Sequence, residues 1–90
     1  MANNKREFEK AQTHVLEMPC SDHERFTDDV KLYLAYQAGI CKKNQFIALR
    51  EINRQDNTIT FEVKAFDYKL HRFDTLDLIN SFPDDWVAIY

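Results

Sequence analysis

The chain has 90 residues, 44% of them hydrophobic and 13% aromatic, and a net charge of −3. A chain this long buries roughly 60–65% of its extended surface, enough for one domain over residues 1–90. One glycine and two prolines leave no flexible linker or low-complexity segment, and the acidic balance argues against a large nucleic-acid footprint, whose affinity needs a basic excess.

The charge is uneven. Residues 1–44 hold seven Lys/Arg and seven Asp/Glu, residues 45–90 five and eight, so the deficit lies in the second half. Met1–Glu9 is polar and charged, unlike a secretory signal. No apolar run approaches the ~18 residues of a membrane span. These features predict a cytoplasmic protein with no membrane contact, in which Cys20 and Cys41 remain thiols.

Asn3–Met18 reads as a helix, because Phe8, Ala11, Val15 and Met18 fall on one stripe and Asn3 or Asn4 can cap it. Pro19 stops it. Ser21-Asp22-His23-Glu24 has the spacing of a capping box for a second helix running to about Ala38. Phe26, Val30, Tyr33, Leu34 and Gln37 form its inner stripe, and Leu32 and Tyr36 a second apolar strip. A helix apolar on two sides packs between two layers or forms a dimer seam, which makes Leu32 and Tyr36 a second candidate interface and a homodimer an open option. Gly39 marks the helix end, since glycine carries no penalty at positive φ.

Beyond Gly39 the apolar residues alternate. Gln45–Asn53 reads as a strand, Arg54-Gln55-Asp56-Asn57 as a hairpin loop, and Thr58–Phe66 as a second strand. Its Ile59, Phe61, Val63 and Ala65 face one way, while Thr58, Thr60, Glu62, Lys64 and Phe66 face water or a partner. Leu70–Phe73 reads as a short third strand. Asp74 caps a short helix, Thr75–Ser81, with Leu76, Ile79 and Phe82 inward. Asp85–Tyr90 is a last strand, apolar on both faces. The order α-α-β-β-β-α-β predicts an α+β fold with two N-terminal helices on one face of an antiparallel sheet of about four strands. A small barrel of SH3 or Sm type carrying N-terminal helices is the alternative.

No constellation assembles chemistry. Cys20 and His23 have the C-x₂-H spacing of half a zinc site, but Cys41 and His71 stand alone on other elements, and zinc needs four converging ligands. Cys20 before a helix start, with His14 or His23 as base, lacks a cleft and an oxyanion hole. The neighbours Asp28-Asp29 and Asp84-Asp85 point apart and make no acid–base dyad. No enzyme activity, metal or cofactor is therefore expected.

The segment from Lys64 to Phe73 is the best candidate site. Lys64, Phe66, Tyr68, Lys69, His71 and Arg72 interleave cations with aromatics, the chemistry of protein hot spots and of nucleic-acid grips. The acidic surroundings favour a protein partner, with a small nucleic-acid-binding barrel as the alternative. In composition the chain resembles the small, acidic, glycine-poor inhibitors that phages and mobile elements direct at host enzymes. That resemblance implies an interaction module, an inhibitor or adaptor of a larger machine.

Overall fold

A computed structural model of the chain describes residues 4–20 and 25–90. In chain order the elements are α1 (Asn4–Lys10), β1 (His14–Pro19), α2 (Asp28–Gln37), β2 (Gln45–Arg54), β3 (Thr58–Asp67), α3 (Arg72–Asn80) and β4 (Val87–Ile89). The four strands form one antiparallel sheet in the order β1-β3-β2-β4. The α+β class and the antiparallel sheet agree with the sequence reading; the order of elements does not. The sheet is open, with β1 and β4 at its edges, rather than a closed barrel.

The sheet is apolar on both faces, and the alternation of each strand sorts its side chains between two cores. On the first face Ile47, Leu49, Ile59, Phe61, Val63 and Ile89 pack with Met18 of β1 and Ala35 of α2. On the second, Phe46, Ala48 and Phe66 pack with Phe8 of α1, Leu78 of α3 and Phe82. The register confirms this sorting: Leu49 stands opposite Val63, and Phe46 opposite Phe66. Helix α2 thus covers one face, while α1 and α3 cover the other. The two N-terminal helices do not share a face, because the first is short and the chain crosses the sheet edge as β1.

Asn3–Met18 is not one helix. It ends at Lys10, and His14–Pro19 pairs with Thr58–Val63 of β3. Leu16 and Met18 turn into the first core while Val15 and Glu17 point out, a period of two that the helical stripe concealed. Phe8 and Met18, placed on one stripe by spacing, lie on opposite faces of the sheet. Cys20 is tied down beyond β1, its backbone N–H donating to Asn57 O at 2.8 Å.

Helix α2 begins at Asp28, with the Thr27 hydroxyl accepting from Val30 N at 3.4 Å. The Ser21–Glu24 capping box lies outside the described residues, as does His23 of the half zinc site. At the other end Gly39 adopts φ +76°, Ile40 N donates to Ala35 O and Gly39 N to Tyr36 O, both at 3.0 Å. That pair of reversed bonds is a Schellman motif, and it gives partners to carbonyls of the helix's last turn. The buried stripe of α2 is Ala35, with Leu32 and Leu34 half-buried against the core. Val30, Tyr33 and Gln37, assigned inward by spacing, are exposed, and Gln37 Nε2 donates to Tyr33 OH at 2.6 Å.

Three differences lie in the C-terminal half. No strand forms at Leu70–Phe73; β3 already runs to Asp67, and α3 starts at Arg72. Asp74 is inside that helix, whose N-cap is His71. The last strand shrinks to Val87–Ile89 at the sheet edge, opposite Ile47–Leu49 of β2.

Candidate functional site

Lys64 and Phe66, expected to face outward, are buried at 6% and 4% exposure. Their face of β3 is the one that α1 and α3 cover. Phe66 stacks on Phe8 and Phe46, with ring centroids 5.9 and 5.7 Å apart. The Lys64 ammonium donates to Phe8 O at 2.8 Å and lies 4.3 Å from the Phe8 ring centroid. It therefore faces a carbonyl of the last turn of α1, where the helix dipole favours a cation. Burial nevertheless holds its pKa below the ordinary lysine value, with Glu62 and Glu9 opposing the shift. Lys64 is a structural cation rather than a surface contact.

Tyr68, Lys69 and Arg72 do come together. They line a groove of about 360 Å³ with Leu70, Thr75, Leu76 and Tyr90. The groove lies between the end of β3, the start of α3 and the chain beyond β4. Its backbone is fixed where Lys69 N donates to the Thr75 hydroxyl at 2.8 Å, and Thr75 is itself buried. The Lys69 ammonium pairs with Glu7 of α1. Tyr68 rests its ring against Phe46, centroids 5.2 Å apart, and is still 48% exposed. Leu70 is 94% exposed and Tyr90 64%, and Phe73, 79% exposed, stands on α3 beside Arg72. His71 is exposed at the α3 N-cap but does not line the groove.

Spacing missed Leu70, Leu76 and Tyr90. The signal was present in Tyr68-Lys-Leu70-His-Arg-Phe73, where three large apolar residues alternate with cations too closely for any one element to bury all of them. Leu76 was assigned to the core; it is half-buried and forms the groove wall.

The second candidate interface divides. Leu32 packs against the first core. Tyr36 is 36% exposed, and burial and the neighbouring Cys41 raise its hydroxyl pKa. Cys41 is buried, and burial pushes its thiol up despite a hydrogen bond from Tyr36. Cys20 and Cys41 are both buried in the first core and are not joined by a disulfide. Among the described residues, no three His, Cys, Asp or Glu side chains gather as a metal site, and no helix is long and apolar enough to cross a membrane. The Arg50 guanidinium joins two carboxylates, donating to Glu62 at 2.7 Å from Nε and to Asp85 at 3.2 Å, and lies 5.6 Å from the Trp86 ring centroid. Those acids serve as ion-pair partners, so Asp84-Asp85 is not a free carboxylate pair.

The sequence matches no protein-family model, and no curated protein or solved structure is significantly similar to it.

Proposed function

We propose that the protein is a protein-binding module whose contact surface is the Tyr68–Tyr90 groove. The observation that carries this reading is the exposure, in one place, of Tyr68, Leu70 and Tyr90 around Arg72. A small domain has no folding reason to leave that much apolar and aromatic surface in water at one end of its sheet. Tyr and Arg are the residue types that dominate protein hot spots, since each gives a large contact area or directional donors at low entropic cost. The buried state of Lys64 weakens the nucleic-acid alternative, because it removes a cation from the proposed phosphate grip. Lys69, paired with Glu7, is partly neutralised as well. The narrower description, a cytoplasmic inhibitor or adaptor of a larger machine, rests on size and composition.

The test is capture from a host extract on the immobilised full chain, in the presence of RNase and DNase, with mass-spectrometric identification. A protein retained by wild type despite the nucleases, and released by Tyr68→Ala with Arg72→Ala, is the expected result. Retention that disappears on nuclease treatment, with oligonucleotide binding that falls steeply with salt, would instead favour the nucleic-acid reading.

A further inference from the structure

The two edges of the sheet are not alike. Edge strand β1 carries Glu17 and ends in Pro19, features that discourage further strand pairing. Edge strand β4 reads Val-Ala-Ile and continues into Tyr90, with no charge, proline or bulge to protect it. Among the described residues its ladder partner is β2 alone. Val87 and Tyr90 are 61% and 64% exposed.

A groove borders this edge on each face of the sheet. Tyr90 closes the one described above, together with Tyr68, Leu70 and Leu76. Val87 and Ile89 line a second, of about 400 Å³, with Phe26, Leu49, Ile59 and Phe61 as its apolar walls. Val87 stands opposite Leu49, so it belongs to the first face. Tyr90 follows the parity of Ala88, which packs in the second core. A strand laid along β4 would send successive side chains to opposite faces and so reach both grooves.

Given the protein-binding role proposed above, we infer that β4 takes up an extended, proline-free segment of the partner as a fifth strand. Main-chain hydrogen bonds to β4 supply the pairing, and two apolar side chains of the segment, spaced as Val87 and Tyr90 are, fill the two grooves. The charges fit such a segment. The Tyr90 groove presents Arg72, and favours an acidic neighbour there, while in the second groove Asp28 is offset by Lys31, Glu51 by Arg54 and Asp85 by Arg50. A second copy of the chain is the poorer occupant. Self-pairing would rest on a three-residue strand and would join two molecules of net charge −3.

The test selects binders to the full chain from a phage-displayed library of random linear peptides, then measures one synthetic peptide by calorimetry and by NMR. The expected peptides lack proline and carry two apolar residues at the stated spacing. Their binding shifts the amide signals of Val87, Ala88 and Ile89 and slows their hydrogen exchange. Val87→Lys, at an exposed position that tolerates charge in the free protein, weakens binding about tenfold or more, while Val87→Ile retains it. Peptides insensitive to Val87→Lys but lost with Tyr68→Ala and Arg72→Ala would overturn strand addition and leave the groove reading intact. Peptides insensitive to both variants would overturn both. Failure to select any peptide above the empty-phage background overturns strand addition, as does a wild-type dimer in sedimentation that Val87→Lys dissociates.

Discussion

Replacing Lys64 by methionine separates its charge from its length. The aliphatic stem still fills the space beneath Phe8 and Trp86, and Phe8 O keeps a hydrogen bond from Ala11 N at 3.3 Å. What disappears is a desolvated cation, so Lys64→Met is expected to leave the melting temperature equal or higher at neutral pH. The pH dependence has a fixed sign. The folded pKa lies below the unfolded value near ~10.4, so between the two the unfolded chain binds more protons and wild-type stability rises with pH. The advantage of Lys64→Met over wild type should therefore shrink as the pH approaches that value, which thermal melts at several alkaline pH values will measure. Lys64→Glu, by contrast, sets an anion against a helix C-terminal carbonyl and is expected to cost about 3 kcal/mol or more. At Val63, wholly buried between β1 and β2 partners, the sequence reading was right. Val63→Asp buries an unpaired carboxylate in a domain with about 5–15 kcal/mol of total stability, and circular dichroism should show no cooperative melt.

Among the elements, β3 was legible and β1 was not, for a shared physical reason. Thr58–Phe66 alternates over its full length, so one period explains it. Phe8, Ala11, Val15 and Met18 satisfy a helical spacing, while Val15-Leu16-Glu17-Met18 equally satisfies alternation. Pairing with β3 decides between them, and that contact lies more than forty residues away in sequence. Helix α2 was found, but its inward face only in part: Phe26 and Leu34 pack against the first core, whereas Val30, Tyr33 and Gln37 are exposed. Its apolar residues surround it, and the small Ala35 marks the buried side because it permits close approach to the sheet. Lys64 and Phe66 shared a face as expected, yet that face is a second core, since helices on both sides leave no solvated face in mid-sheet. The helix end at Gly39 followed directly from the chemistry of one residue. A Cβ there meets nothing within 4 Å, so Gly39→Ala carries only the left-handed backbone penalty. It is expected to cost about 1 kcal/mol, or roughly 4–8 °C in Tm. An unchanged melt would mean that the Schellman turn contributes nothing.

At the scale of the molecule, two cores sandwich one sheet and consume most of the aromatic content. Phe8, Phe46, Phe66, Phe82 and Trp86 form one contiguous cluster on the second face. Of the aromatics left exposed, Tyr68 and Tyr90 meet at the end of the sheet where β3 runs out, while Tyr33 stands on α2 and Phe73 on α3. Half of the residues nominated from the sequence come together there: Tyr68, Lys69 and Arg72 line the groove, and His71 stands beside it. Its remaining walls, Leu76 of α3 and Tyr90 beyond β4, meet by an approach that no local pattern encodes. Tyr68 and Arg72 are exposed and carry little of the core, so their loss should affect binding and spare folding. The decisive measurement is calorimetric titration of the captured partner with wild type and with Tyr68→Ala plus Arg72→Ala, alongside thermal melts of both. The groove account predicts a loss of affinity of about thirtyfold or more, equivalent to about 2 kcal/mol, with the melting temperature nearly unchanged. Unchanged affinity in a folded double mutant would contradict it.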